Sequence, residues 1–350
     1  MDWIRGEKLG HGSFATVSLA APGSGDSKLP PLMAVKSCGY SHSSSLMREK
    51  VILDELKDCP EIIRCFGESV SYENGEKLYN MLLEYASGGS LADKLKNFDN
   101  RRLQESEVRQ YTKALLKGLH HIHKFGYVHC DIKLQNILLG VDGAALKLAD
   151  FGLAKRASPR DSGCELRGTP LYMSPEILAG GDQGPPADIW ACGCVILELL
   201  SGAPAWRRSD LAGLLMRIGG GDELPEIPDD LSEEGKDFLG KIFVKCPRER
   251  WTAEMLLNHQ FICDQDFEAL NDKQNITAST SPRGPLDFPH WMSCSITSLP
   301  SPEFSPECGS WFSGEMRSVS GSSSPAERLR KLVSDRCSNW PISDDWVTVR

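Results

Sequence analysis

Val108, Tyr111, Leu115, Leu119 and Ile122 recur three and four positions apart, with polar and charged residues filling the intervals. That spacing predicts a long amphipathic helix with one buried face, ending near Gly126. The run from Ala187 to Leu200 is apolar almost throughout, which predicts a helix buried on every side. The first part of the chain is patterned differently. Short apolar runs at Lys8-Leu9 and at Thr16 to Ala20 flank Gly10-His11-Gly12-Ser13-Phe14-Ala15, which predicts a hairpin and not a strand-to-helix crossover. After a Pro- and Gly-containing connection from Pro22 to Pro31, a third strand is expected at Leu32 to Lys36. A helix at about Leu46 to Leu56 and another strand at Leu78 to Tyr85 follow. The small residues Ala86-Ser87-Gly88-Gly89-Ser90 suit a hinge. Short strands are expected at Ile137 to Leu139 and Ala145 to Ala149, and helical patterns continue to about Ile262.

Beyond Asp264 the periodicity fades, serine dominates and prolines recur, so the tail is expected to be mostly disordered. Trp291, Trp311, Trp340 and Trp346 are unusual in a linker, and Pro325 to Val333 suits a short helix, so parts of the tail are expected to fold on a partner. No solenoid or propeller repeat is apparent.

Composition narrows the functional classes. The 350 residues hold 48 acidic and 39 basic side chains, a formal net charge of -9, so neither nucleic acid nor an anionic membrane is an expected partner. No stretch has the apolar length of a membrane span, and no membrane insertion is expected. The 12 cysteines are scattered, and the start of the chain runs directly into domain sequence. Reduced thiols and a location in the cytoplasm, the nucleus or both are expected. Cys192 and Cys194 fall inside the apolar helix pattern and read as core, not as a metal site.

The chemistry is carried by a few short segments. Residues 129 to 136 read His-Cys-Asp-Ile-Lys-Leu-Gln-Asn. Asp131 suits acceptance of a hydroxyl proton, Lys133 a migrating phosphoryl charge, and Asn136 a magnesium ion. In the glycine turn, Gly10 and Gly12 allow backbone amides to approach phosphates, and the strand that follows argues against a dinucleotide site. Lys36, after Ala34-Val35, suits a phosphate clamp. Its helical partner is Glu49, with Leu53 one turn on along the packing face, or alternatively Glu55. Asp150, in Asp-Phe-Gly, suits a metal bridging phosphates.

In this order, residues 3 to 262 resemble a eukaryotic protein kinase domain. The resemblance implies an α+β, two-lobed protein kinase fold: a β-rich N-lobe at about 3–83, a hinge at about 84–90 and a mainly helical C-lobe at about 91–262. The Ser/Pro-rich regulatory tail is 263–350. It implies ATP and Mg2+ as cofactors, with Asn136 and Asp150 as metal ligands. Leu9, Gly10, Gly12, Val17, Ala34, Lys36 and Glu49 would form the nucleotide site, with Leu83 as gatekeeper and the backbones of Glu84 and Ala86 meeting adenine. Ser174-Pro175-Glu176 would close the activation segment, Glu176 would pair with Arg250, Asp188 would brace the catalytic loop, and Thr169 would contact Asp131.

Lys133 and Gly168-Thr169-Pro170 are similar to serine/threonine kinases and not tyrosine kinases. Gly168 to Glu176, Val128 to Lys133 and Cys246 to Ala253 resemble plant mitogen-activated protein kinase kinase kinases of the MEKK-like branch. That resemblance implies a MAP kinase kinase as protein substrate, phosphorylated on its activation loop, and a stress or abscisic acid cascade. Cys130 replaces the usual Arg before the catalytic Asp, so phosphorylation of Ser158 or Ser162 is expected to matter little. Ser281, Ser301, Ser305 and Ser324 each precede Pro, either as sites for feedback from a proline-directed MAP kinase or as ordinary features of a Ser/Pro-rich linker. The rival readings are a pseudokinase scaffold and a kinase of small molecules or lipids. Intact Lys36, Asp131 and Asp150 argue against the first, and the Gly168 to Glu176 segment against the second.

Overall fold

The computed structural model describes residues 2–12, 15–23, 29–98, 101–143, 145–157, 166–206, 210–263 and 292–293. Strands β1 (Trp3–His11), β2 (Thr16–Pro22), β3 (Met33–Gly39), β4 (Cys65–Glu73) and β5 (Glu76–Glu84) form an antiparallel sheet in the order β1-β2-β3-β5-β4. Helix α1 (Ser44–Glu55) connects β3 to β4.

Alternation along the strands splits the sheet into two faces. Leu9, Leu19, Ala34, Met81 and Leu83 join the main core with Leu53 of α1, whereas Trp3, Ala20, Met33, Val35 and Leu82 form a separate apolar cluster. Strand β4 had no counterpart in the sequence reading, and β1 begins five residues before the expected Lys8. The reason is polar burial on the second face. Ser69 accepts from the Trp3 indole at 2.9 Å, Ser71 from Asn80 at 2.9 Å, and Glu73 from two nitrogens of buried Arg5 at 2.9 Å. Hydrogen-bonded polar groups there replace the apolar residues that would have marked strands.

The remainder is mainly helical: α2 (Leu91–Asn97), α3 (Glu105–Lys124), α4 (Pro175–Leu178), α5 (Pro185–Ser201), α6 (Leu211–Gly220), α7 (Glu233–Ile242), α8 (Ala253–Leu257) and α9 (Gln260–Cys263). Short strands β6 (Tyr127–Val128), β7 (Ile137–Leu139), β8 (Leu146–Leu148) and β9 (Lys155–Arg156) pair as β6-β9 and β7-β8. All five stripe residues of α3 are buried. In α5 burial is nearly continuous, Cys192 and Cys194 included. Ser90 and Asp93 cap α2 reciprocally, a device worth about 1 kcal/mol.

Polar contacts bind the halves beside the hinge, and Leu148 N–H donates to Glu61 C=O at 2.7 Å. Ile63 N–H donates to Leu148 C=O at 2.9 Å, and Lys147 of β8 pairs with Glu84 at 2.9 Å. No helix among the described residues is long and apolar enough to cross a membrane.

In the tail, β10 (Met292–Ser293) pairs antiparallel with Ile4 and Arg5 on the edge of β1. The other tail features named above, together with Ser158 and Ser162, lie outside the described residues.

Candidate active site

The catalytic loop lies between β6 and β7, held from behind by α5. Asp188 Oδ2 accepts from His129 N–H at 2.8 Å and Oδ1 from Cys130 N–H at 3.0 Å; His123 Nε2 lies 2.9 Å from Oδ2. Cys130 adopts φ 69°, a left-handed conformation that persists in non-glycine residues only when its surroundings over-determine it. Its thiol is buried, and burial, with the charge of Asp188, pushes the thiol pKa up.

Asp131 is 7 % exposed and sits at the centre of a polar cluster. Lys133 Nζ pairs with its Oδ2 at 2.8 Å, Thr169 Oγ1 donates to its Oδ1 at 2.7 Å, and Lys133 Nζ also donates to Thr169 at 3.1 Å. Asn136 Nδ2 donates to Asp131 Oδ2 at 3.0 Å and to its backbone carbonyl at 2.9 Å. This orients the Asn136 amide, so its oxygen is the end left for a cation. The Asp131–Thr169 contact expected from the resemblance is thus present in the folded chain.

Lys36 of β3 stands between two carboxylates. Its Nζ donates to Glu49 Oε1 and Oε2 at 2.9 and 2.7 Å, and to Asp150 Oδ1 at 2.9 Å. Glu55 faces elsewhere, bonded to Arg156 of β9 at 3.0 and 2.8 Å. Burial by itself would depress the Lys36 pKa, but the charges of Asp150 and Glu49 outweigh it and hold the pKa above the ordinary value. The Lys36 charge in turn holds Asp150 down at about 2, against the opposing effect of burial. Glu49 also accepts from Phe151 N–H at 3.2 Å, and buried Phe151 packs on His129 with ring centres 4.7 Å apart. The Asp-Phe-Gly turn, with Asp150 at φ 64°, is therefore pinned to α1 and to the catalytic loop together.

The other residues expected at the nucleotide site lie on the strands around Lys36 and on the link that follows them. Leu9 and Ala34 are buried in the main core, Val17 packs against it, and Leu83 pairs with Ala34 across β3 and β5. Gly12 N–H donates to Ala15 C=O at 2.9 Å, closing the glycine turn. Glu84 ends β5, and Ala86 lies in the link to α2. Ala149 N–H donates to Asn136 C=O at 2.9 Å, which sets Asp150 one residue on from that contact; an ionised carboxylate and an amide oxygen are hard donors, which fit magnesium. Asn136 and Asp150 would hold the ion, which offsets phosphate charge when bound.

The segment after the catalytic centre is anchored at its far end. Arg250, whose side chain is 0 % exposed, donates to Glu176 Oε1 and Oε2 at 2.7 and 3.0 Å. Tyr172 donates to Glu198 of α5 at 2.6 Å. Sequence reasoning missed the His123 and Glu198 contacts. His123 is one of three histidines at the end of α3 with nothing to distinguish it, and Glu198 is an acid inside an apolar run with no motif around it.

This arrangement, a strand lysine clamped between a helical Glu and an Asp-Phe-Gly Asp above an Asp-Lys-Asn loop, defines a phosphotransferase centre on a two-lobed scaffold. The protein kinase domain family matches residues 3–262, and the chain belongs to that family. Mitogen-activated protein kinase kinase kinase 20 of Arabidopsis thaliana is 47% identical, covering 100% of both chains. Mitogen-activated protein kinase kinase kinases 18 and 17 of the same plant are 38% and 42% identical. They cover 100% and 84% of this chain, and 99% and 78% of their own lengths. The protein is a serine/threonine protein kinase of the MAP kinase kinase kinase type.

Proposed function

We propose that the chain transfers the γ-phosphoryl group of ATP to serine or threonine in the activation loop of a MAP kinase kinase. The observation that carries this reading is the pair of clusters, Lys36–Glu49–Asp150 and Asp131–Lys133–Thr169, each held by bonds of 2.7 to 3.1 Å. The names of the relatives point to the same substrate class. Lys36 would meet the α- and β-phosphates, and Lys133 the charge of the moving phosphoryl group. Asp131 would orient the acceptor hydroxyl and take its proton as the new O–P bond forms and the bond to the ADP oxygen breaks. Catalysis of this kind rests on positioning and charge stabilisation. Intact Lys36, Asp131 and Asp150 argue against a scaffold without activity.

Regulation follows from Cys130. With a buried neutral thiol in place of a cation, a phosphate on the activation segment has no partner at that position, so activity is set by abundance, partner binding or the tail. Feedback by a proline-directed kinase on the Ser-Pro pairs of the tail fits this scheme. The cascade we propose is one of stress or abscisic acid signalling, a reading supported by the motif resemblance to the plant MEKK-like branch.

The test incubates purified chain, Mg2+ and ATP with several catalytically dead kinase kinases and maps phosphoserine and phosphothreonine. Activation-loop modification by wild type, lost in Lys36→Met, is expected. Undiminished transfer by Lys36→Met, or silence toward every kinase kinase, would sink the reading.

A further inference from the structure

Gln183 lies in the turn between α4 and α5, in a Gly-Gly-Asp-Gln-Gly stretch that carries none of the motifs above. Its side chain is buried, and Nε2 donates to two backbone carbonyls, Arg167 O at 3.1 Å and Cys130 O at 3.4 Å. The two carbonyls belong to separate segments. Cys130 immediately precedes Asp131, and Arg167 stands two residues before Thr169. Because Thr169 Oγ1 is bonded to Asp131 Oδ1 at 2.7 Å, the amide closes a loop of contacts through both segments.

The approach at this point is tight. Gly168 adopts φ 108°, and a Cβ there would lie 2.4 Å from the Cys130 carbonyl oxygen. Asp188 holds the N–H of left-handed Cys130 while Gln183 holds its C=O, so the strained residue before the catalytic Asp is gripped from both sides. The Gln183 Oε1 is buried without a hydrogen-bond partner among the described residues. An amide buried at that cost is not there for its own satisfaction.

We propose that Gln183 is a positioning residue for phosphoryl transfer. Its carboxamide clamps the catalytic loop to the segment carrying Thr169 and so sets Asp131 relative to the acceptor hydroxyl. The chemistry suits the task. A carboxamide nitrogen offers two donors without charge, and both are used. A carboxylate would set negative oxygens against two carbonyls, and a thioether would offer no donor. A small cavity of about 10 Å³ is bordered by Gln183, Cys130, Arg167 and Thr169. The clamp is built in and neutral, so it needs neither a cation at position 130 nor a phosphate on the segment.

The inference builds on the kinase activity, and the experiment keeps the two apart. Full-length wild type, Gln183→Met and Gln183→Glu are assayed on a dead kinase kinase and on a generic basic acceptor protein, alongside ATP affinity and melting temperature. Gln183→Met is expected to lose about tenfold in kcat on both acceptors, the effect of one to two hydrogen bonds, with ATP affinity close to wild type and a melting temperature only a few degrees lower, from the two carbonyls left unpaired. Gln183→Glu is expected to be weaker still at pH 8 and to recover partly toward pH 6, as the carboxyl gains a proton and with it one donor. Wild-type kcat in Gln183→Met overturns the proposal. So does a loss shared equally by ATP affinity and melting temperature, or a Gln183→Glu pH profile parallel to that of wild type. Wild type silent on the kinase kinase but active on the generic acceptor would instead count against the assigned substrate alone.

Discussion

Replacing Arg250 with Met tests how the far end of the activation segment is held. In the folded chain the guanidinium reaches Glu176 twice, Pro186 C=O at 2.7 Å, and Val244 C=O at 3.0 and 2.8 Å, and it stacks over Trp190 at 5.0 Å. Met keeps much of the volume and removes every donor. Glu176, whose side chain is 10 % exposed, is then left as an uncompensated buried charge, at a cost of about 3 to 5 kcal/mol. The freed carbonyls add to this, but the effects share one site and do not sum. Taking about 4 kcal/mol, and about 2 °C per kcal/mol for a domain of this size, the melting temperature should fall by about 8 °C. Glu176→Leu added to Arg250→Met removes the orphaned charge, so the double variant should melt several degrees above the single one. Differential scanning calorimetry on the three proteins decides the matter. A fall below about 2 °C for Arg250→Met, or a double variant that melts lower still, would refute the reasoning.

Thiol chemistry gives a second prediction. Burial pushes the pKa of Cys130, Cys192 and Cys194 up, whereas Cys246 and Cys263 are exposed. Between pH 7 and 9 the native protein should alkylate at the exposed pair more than about tenfold faster, and mass spectrometry should show the difference vanish in denaturant. Rapid native labelling of Cys130 would contradict the buried thiol. For the activation segment, the Ser158→Ala, Ser162→Ala double variant should keep most of its kinase-kinase phosphorylation. A large loss restored by acidic replacements at the same positions would show that a phosphate is needed after all.

The active centre was legible residue by residue because phosphoryl transfer demands particular groups at short, ordered spacings. Asp131, Lys133 and Asn136 lie on one loop, and no packing detail is needed to see what such a loop can do. The α3 stripe and the apolar α5 were equally plain, since helical periodicity survives wherever one face or all faces are buried. Strand β4 was hidden because Ser69, Ser71 and Glu73 are buried through hydrogen bonds to Trp3, Asn80 and Arg5, partners 66, 9 and 68 positions away. Glu49 and Glu55 could be ranked along the chain, but only folding showed the first on Lys36 and the second on Arg156.

By itself, then, the sequence determined the fold class, the serine/threonine character and which residues gather around Lys36 and Asp131. The cause is that these depend on residue type and local spacing. Tertiary structure alone decided the contacts that no motif announces: His123 beside Asp188, Glu198 on Tyr172, and Gln183 between two carbonyls that no local pattern connects. Such contacts are set by where distant backbone segments meet, and a lone Gln in a glycine-rich turn carries no sign of which carbonyls it will find.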